Sequence, residues 1–234
     1  MRGMRHRQEP CNATGCCYDR RIGQRSYLLE TTMKRQGSFL CIVILWWAAA
    51  GHAETVKRSG DLASSDETNL LANPSFEKPD HTGRLPDGWA VFACHGEARA
   101  RFTSSEVLDG EKALAVRMLP QRGMVVGVLT ILPVDPDQRY DFSVHLKRYP
   151  GRFSPGAGYV HLIVEWLDGS GKELARSQSR RLALAHLSRR RWKKLAIKRL
   201  RPPRRARKAK FGIHFWPEGA RGEVCVDKAA VVVR

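Results

Sequence analysis

Three histidines, His145, His161 and His214, each lie on the polar side of a segment in which polar and apolar residues alternate. Imidazole groups bind ligands and metal ions, and three of them in ideal geometry form a metal site. Whether these three meet depends on which segments are neighbours in space, and the sequence does not show this. A polar face must also be filled with polar residues in any case. We therefore expect solvent-facing histidines, and we keep the three, together with Glu165, as candidate ligand-contacting residues.

The alternation around these histidines is typical of half-buried antiparallel strands, because successive side chains of a strand point to opposite faces. No long helical pattern competes, and PVDPDQ, LDGSGK and WPEGARGE supply turn residues between segments. The sequence predicts a single all-β domain, an antiparallel β-sandwich of the jelly-roll type. The predicted strands cover residues 70–76, 89–94, 98–103, 112–118, 125–134, 140–148, 159–167, 174–184, 192–200, 208–216 and 224–233.

The segment before this domain, residues 33–53, reads MKRQGSFLCIVILWWAAAGHA and has the organisation of a secretory signal peptide. Its apolar run is shorter than the roughly 20 residues of a membrane-spanning helix. We expect a periplasmic or secreted protein with no transmembrane anchor after cleavage. Residues 1–32 are interpreted as an upstream start-site artefact or a disordered extension, residues 54–68 as a linker and residues 69–234 as the domain.

The net charge of the chain is +18, and residues 176–210 contain no acidic residue. Leucines and a tryptophan are interleaved with the charges, which predicts that the charges lie on the solvent side of folded strands and loops. Such a basic region attracts polyanions such as acidic polysaccharide, lipopolysaccharide or phospholipid headgroups. A specific nucleic-acid partner is not expected, because no nucleic-acid-binding motif occurs. The candidate polyanion-binding residues are Arg189, Arg190, Arg191, Lys193, Lys194, Arg204, Arg205 and Arg207.

Two cysteines, Cys94 and Cys225, remain once residues 1–53 are set aside. An oxidising compartment would allow them to form a disulfide. Two cysteines on strands can equally be small buried hydrophobic residues. The sequence leaves both interpretations open.

The order of several short motifs resembles the CenC-type carbohydrate-binding modules, which are jelly rolls of the galactose-binding-like superfamily. The motifs are NLLANPSFE from Asn69, the pair Gly88 and Trp89, LDGEKALAV from Leu108 and EVCVDKAAVVV from Glu223. The resemblance covers about residues 69–233. It implies a secreted, noncatalytic domain whose partner is a polysaccharide or a cell-envelope glycan.

The resemblance also implies a structural Ca²⁺ between the first and last strands. Its ligands would be Glu77, Asp227 and backbone oxygens of the 109–112 turn, because Ca²⁺ takes six to eight oxygen ligands. The alternative is that the two carboxylates accept hydrogen bonds from strand-end amides or pair with arginines.

Aromatic side chains are the natural stacking surfaces for sugar rings, and a preformed site adds a few polar groups around them. The resemblance places four aromatic residues in the core: Trp89, Tyr140, Trp166 and Trp192. It leaves four others as candidate ligand contacts, with Trp216 as the principal one: Trp216, Tyr149, Phe153 and Tyr159.

Two other functions remain as alternatives. One is an envelope or adhesion domain without sugar specificity, in which the arginine-rich region docks on an anionic surface. The other is a polysaccharide lyase, in which His145, Lys147 and Tyr149 of one strand would remove a proton. Because neither a GxSxG nor an HExxH motif occurs, and catalysis needs mutually placed groups, we do not expect an enzyme.

Overall fold

The computed structural model describes residues 68–234, so the predictions for residues 1–32 and 33–53, and nearly all of the predicted linker, lie outside the described residues. The described part contains strands and one short 3-10 turn, Leu184–His186. Within it, no helix has the length and apolar character needed to cross a membrane.

Two antiparallel sheets, here called the front sheet and the back sheet, form the domain, and their strands are numbered in chain order. The front sheet runs in the order β1 (Ala90–Cys94), β4 (Val125–Pro133), β10 (Lys208–Trp216), β6 (Tyr159–Leu167) and β7 (Glu173–Gln178), and β8 (Leu182–Ala183) also pairs with β6. The back sheet runs in the order β2 (Ala100–Thr103), β3 (Ala113–Met118), β11 (Gly222–Val233), β5 (Tyr140–Arg148) and β9 (Lys193–Leu200). Most neighbouring strands are distant from each other in the sequence. The predicted all-β sandwich of the jelly-roll type is confirmed.

The core lies between the inner faces of the two sheets and consists of the alternating apolar residues of each strand. Aromatic rings link the sheets at its centre, where Phe142 of β5 lies 5.9 Å from Trp166 of β6 and 5.4 Å from Phe211 of β10, measured between ring centroids. Trp89, Tyr140 and Trp166 are buried, as predicted. The prediction that Trp192 is a core residue is wrong, because this side chain is only half-buried and lies within 5.8 Å of the Lys147 ammonium.

The predicted bounds of β5, β6 and β10 agree with the structure. The predicted strand 174–184 is broken, because the chain leaves β7 after Gln178 and returns only for the two residues of β8.

The predicted strand 70–76 is wrong, since this segment is made of bends and turns beside β11. Asparagine side chains here replace ladder hydrogen bonds. Asn69 bonds the Ala229 carbonyl and the Val231 amide through its side chain, and the side-chain amide of Asn73 donates to the carbonyl of Lys78.

Two carboxylates connect the 108–112 turn, between β2 and β3, to other parts of the domain. One belongs to β11 and the other to the segment before β1. Asp227 is fully buried in β11, and its Oδ2 accepts hydrogen bonds from the amides of Leu108 (2.7 Å) and Asp109 (3.0 Å). Its Oδ1 accepts from the amide of Lys228 (2.6 Å). Glu77 accepts from two amides at the other end of the turn, those of Glu111 and Lys112, both at 2.9 Å. Glu77 and Asp227 therefore accept hydrogen bonds from backbone amides, which was the alternative to the calcium site.

We expect the substitution Asp227→Asn to destabilise the domain by about 2–4 kcal/mol, because the new amide group would face buried N–H donors that lose their charged acceptor. The exposed Asp137→Asn is the control and should change stability by less than about 0.5 kcal/mol. Urea unfolding followed by tryptophan fluorescence measures both. Equal midpoints for the two variants would show that the Asp227 contacts contribute no net stability.

Candidate functional site

Aromatic and imidazole rings from three strands, β1, β6 and β10, gather on the outer face of the front sheet. Strand register places His214 of β10 opposite His161 of β6 on one side and Gly127 of β4 on the other. Phe92 of β1 is opposite Gly127, and in the next row Trp216 is opposite Tyr159. We call this group the front-face platform: Phe92, Tyr159, His161, His214 and Trp216.

The rings of Trp216 and Tyr159 stack against each other. Their centroids lie 5.8 Å apart and their planes differ by only 12°. Both side chains are half-buried. Beside them, His214 lies 6.0 Å from His161 and 4.9 Å from Phe92, with the rings edge to face. The arrangement is a cluster of rings in mutual contact, in which Trp216 is half-buried and can stack on the apolar face of a ligand.

Two glycines allow these rings to lie across the sheet. A Cβ atom at Gly127 would lie 2.2 Å from Cε1 of Phe92, and one at Gly212 would lie 2.5 Å from Nε2 of His214. Any side chain at either position would displace a ring of the platform. The sequence therefore specifies the platform through these two glycines as well as through its aromatic residues.

The two platform histidines are neutral at physiological pH. Burial lowers the pKa of His161 to about 4, with the positive charge of Arg181 as a second cause. Burial also lowers the pKa of His214 to about 3, assisted by the neighbouring His161 and Lys210. Trp216 donates its indole N–H to Nε2 of His161 at 3.2 Å, so the proton of His161 lies on Nδ1. That Nδ1 is buried and has no hydrogen-bond partner among the described residues.

Charged residues surround the platform and were largely missed by the sequence analysis. The guanidinium group of Arg181 lies 4.4 Å from the centre of the Tyr159 ring. Glu165 shares the outer face of β6, as predicted, but it is only 5% exposed and forms ion pairs with Lys210 (2.7 Å) and Arg176 (3.1 Å). The negative charge of Glu165 is thus compensated within the protein. Arg181 is one of many basic residues between residues 176 and 210. Its position directly before the short strand β8 is the one sequence feature that distinguishes it from the others.

His145 does not join the other two histidines. It lies on β5 of the back sheet, where its Nδ1 is 3.3 Å from the carbonyl of Lys228. The prediction of three solvent-facing histidines is also wrong for His161, which is only 4% exposed because neighbouring rings cover it. Within residues 68–234, no group of three or more His, Cys, Asp or Glu side chains could hold a metal ion.

Tyr149 and Phe153 also lie away from the platform. Tyr149 follows β5 in the back sheet, where its hydroxyl group lies 3.2 Å from that of Ser105 and Arg101 lies 4.8 Å from its ring. Phe153 contacts the guanidinium group of Arg148 at 5.1 Å. Alternation within one strand could not show that Tyr149 and Tyr159 belong to different sheets.

The strand face that carries His145, Lys147 and Tyr149 does not match the lyase hypothesis. The ammonium group of Lys147 forms an ion pair with Glu106, and both side chains are largely buried. Burial lowers the pKa of His145. The lysine is therefore held by a carboxylate.

Cys94 and Cys225 are both free thiols, and the disulfide interpretation is wrong. Cys94 belongs to β1 of the front sheet and Cys225 to β11 of the back sheet. Each lies on the outward side of its strand, since the inward neighbours Val224 and Val226 contribute to the core while Cys225 does not. Burial raises the pKa of Cys225 to about 12, so it is an unreactive thiol.

The predicted polyanion-binding residues are all exposed. Lys193 and Lys194 lie on β9, the edge strand of the back sheet. Charged side chains on an edge strand also prevent pairing with other chains. The remaining six lie in the loops before and after β9: Arg189, Arg190, Arg191, Arg204, Arg205 and Arg207.

The implied calcium site has few available ligands. Both oxygens of Asp227 accept hydrogen bonds from backbone amides, and one oxygen of Glu77 accepts two. Ca²⁺ would have to replace these donors to complete six oxygen ligands. In this structure the two carboxylates fit the amide-binding interpretation better than the metal site.

Comparison with solved structures shows the fold, and neither the protein-family models nor the curated proteins give a match. The chain is similar to the enzymatically active domain of tailspike protein 4 of bacteriophage CBA120, with TM-score 0.54, 12% identity and coverage of 71% of this chain and 21% of that one. It is similar to the CBM22-1 and GH10 modules of xylanase 10B of Clostridium thermocellum, complexed with xylohexaose, with TM-score 0.51, 15% identity and coverage of 72% and 29%. It is also similar to a cyclase from Fischerella sp. TAU, with TM-score 0.50, 16% identity and coverage of 70% and 96%.

These proteins include enzymes and a polypeptide with a carbohydrate-binding module, so the likeness defines a β-sandwich of the kind found in such modules. The chain spans about a fifth of the tailspike domain and 29% of the xylanase modules. At these identities the fold is shared, and the function has to be argued from the site.

The low pKa of His161 predicts a specific pH dependence of stability. A histidine whose folded pKa is about 4 binds fewer protons in the folded state than in the unfolded state, where its pKa is about 6.5. The free energy of unfolding should therefore fall as the pH falls from about 6.5 to 4, by up to about 3 kcal/mol from this residue.

The variant His161→Gln should show a flatter pH dependence over that range, measured as urea midpoints at pH 7 and pH 4.5. The exposed His186 is the control site, and His186→Gln should keep the slope of the original protein. The same slope in all three proteins would contradict the neutral, buried state of His161.

Proposed function

We propose that this protein is a noncatalytic carbohydrate-binding domain and that the sugar stacks on the front-face platform. The observation that carries the proposal is the pair of half-buried rings of Trp216 and Tyr159, which stack with nearly parallel planes on an outward sheet face. Large aromatic residues there lose apolar contact with the core but offer a flat surface to a ligand.

The polar groups around the rings suit a ligand of hydroxyl groups. His161 and His214 are neutral, so they neither require nor repel a charged ligand. Arg181 covers the Tyr159 ring, which leaves Trp216 as the principal stacking surface. Glu165 is occupied by two ion pairs and is a weaker contact candidate than the sequence predicted.

The type of carbohydrate-binding module, the export of the protein and the additional binding of acidic polymers are also part of the proposal, and the sequence supports them. The order of motifs favours the CenC type among carbohydrate-binding modules, and the segment 33–53 favours export to the periplasm or the medium. One of the similar structures, the xylanase modules, was determined with xylohexaose, which supports a polysaccharide as the ligand class. The exposed basic residues favour the additional binding of acidic polymers.

The substitution Trp216→Ala tests the platform. It should lower the affinity for the bound glycan by about tenfold or more, since a buried tryptophan anchor commonly dominates an interface. The matched control is Trp192→Ala, which removes another half-buried tryptophan but from the back sheet. Affinity electrophoresis against xylan, galactan and β-glucan finds the ligand, and titration calorimetry with the matching oligosaccharide gives the affinity.

The two variants separate the candidate functions. Loss with Trp216→Ala alone supports the platform. Unchanged glycan binding in both variants would contradict it, and the envelope-docking function, in which the basic region makes the contact, would then account better for the exposed arginines.

The calcium ion is a separate proposal, with Glu77 and Asp227 as its side-chain ligands. A ligand that binds only the folded state raises the melting temperature. Added CaCl₂ should therefore raise Tm and EGTA should lower it, measured by differential scanning calorimetry. If neither reagent shifts Tm, the two carboxylates act only through their amide hydrogen bonds.

A further inference from the structure

A cavity of about 500 Å³ opens at one end of the back sheet, where β3 ends and β11 begins. Three arginines line it, Arg117, Arg152 and Arg221, and we call it the arginine pocket. Its volume lies within the roughly 300–1,000 Å³ of common small-molecule sites. None of the residues that the sequence predicted for polyanion binding lines it.

Backbone contacts fix the walls of the arginine pocket. Arg117 is opposite Glu223 in the β3–β11 register. Arg221 exchanges two backbone hydrogen bonds of 2.8 Å with Ser154, which joins the loop after β5 to the start of β11. Arg152 lies in that loop, and the guanidinium group of Arg189 donates to the carbonyl of the preceding Gly151. The pocket is therefore formed before a ligand arrives.

The charge of the arginine pocket is positive and uncompensated. Glu223 is the one carboxylate among its lining residues, and it forms an ion pair with Arg101 at 2.7 Å. In residues 68–234, no ion pair engages Arg117, Arg152 or Arg221. Several like charges around one concave surface concentrate anions, and guanidinium groups bind carboxylate or sulfate oxygens through two parallel hydrogen bonds.

Four residues add apolar surface to the lining. Leu119, Pro120, Pro150 and the ring of Tyr149 contribute to it. The Tyr149 ring is held by Arg101 at 4.8 Å, and its hydroxyl group lies 3.2 Å from that of Ser105. A ligand that fits must therefore offer an apolar face as well as an anionic group, which a free inorganic ion does not.

We propose that the arginine pocket is a second binding site, for a sugar residue that carries a carboxylate or a sulfate group. The anionic requirement follows from the three arginines alone, and the sugar character rests on the proposed function. The pocket belongs to the back sheet and the platform to the front sheet, so the two sites bind their ligands independently.

The test compares two triple variants that each remove three exposed arginine charges. One is Arg117→Gln, Arg152→Gln and Arg221→Gln in the pocket. The other, the matched control, is Arg204→Gln, Arg205→Gln and Arg207→Gln in the basic region. Circular dichroism and Tm establish that both are folded. Titration calorimetry is performed with oligogalacturonate, with a sulfated galactan oligosaccharide and with a neutral galactan oligosaccharide, at low and at physiological ionic strength.

The pocket variant should lose about tenfold or more in affinity for one of the two anionic oligosaccharides, because charge-assisted hydrogen bonds are short-ranged and specific. The ligand that loses affinity identifies the carboxylate or the sulfate. The control variant should lose affinity mainly at low ionic strength, because exposed charges are screened over about 8 Å at physiological salt. The affinity for the neutral galactan oligosaccharide should be the same in both triple variants as in the original protein.

Equal losses in the two triple variants would overturn the proposal, since general attraction would then explain the binding. Failure of the original protein to bind either anionic oligosaccharide would also overturn it, as would equal competition by inorganic sulfate or by DNA. Trp216→Ala separates the two sites. If it abolishes anionic and neutral binding alike while the pocket variant binds normally, the second site is refuted and the platform stands. If Trp216→Ala changes neither the anionic nor the neutral affinity, while the pocket variant no longer binds the anionic oligosaccharide, the platform is refuted and the second site is supported.

Discussion

The register of β10 between β4 and β6 is the constraint on which the front sheet depends. It directs Phe211, Ile213 and Phe215 into the core, and the same alternation directs His214 and Trp216 outward beside His161. A slip of one residue would exchange the two sets and place polar groups in the core. The burial of three large apolar side chains therefore holds the platform in place from the opposite face of the sheet. The pairing of β10 with β4 and β6 therefore both contributes to the stability of the domain and fixes the position of the candidate site.

The platform combines aromatic exposure with the removal of charge. Burial keeps His161 and His214 neutral, and the negative charge of Glu165 is compensated by Lys210 and Arg176. Hydrogen bonds between ligand and protein compete with water, so binding a neutral sugar depends on stacking area and on groups already in position. Gly127 and Gly212 serve this purpose, because the absence of their side chains leaves room for the rings of Phe92 and His214.

Exposed basic residues of the described part of the chain occur in two structural settings. Lysines of β9 and arginines of its flanking loops lie on an exposed edge, where the charge is spread and screened by salt. Arg117, Arg152 and Arg221 surround one concave cavity, where a single anion could meet more than one of them. Counting charges along the sequence finds the first group, because it is contiguous. Only proximity in space defines the second.

The sequence by itself determined the fold class, the bounds of the strands with period-two alternation and the position of Trp216 on an outward strand face. These depend on local patterns that burial imposes on each strand separately. It could not decide which strands are neighbours, so it grouped Tyr149 and His145 with residues of the other sheet and left the pairing of Cys94 with Cys225 open. It also missed Phe92. Those relations are long-range contacts between strands distant in the chain, and only the tertiary structure specifies them, because the same alternating pattern is compatible with many strand orders.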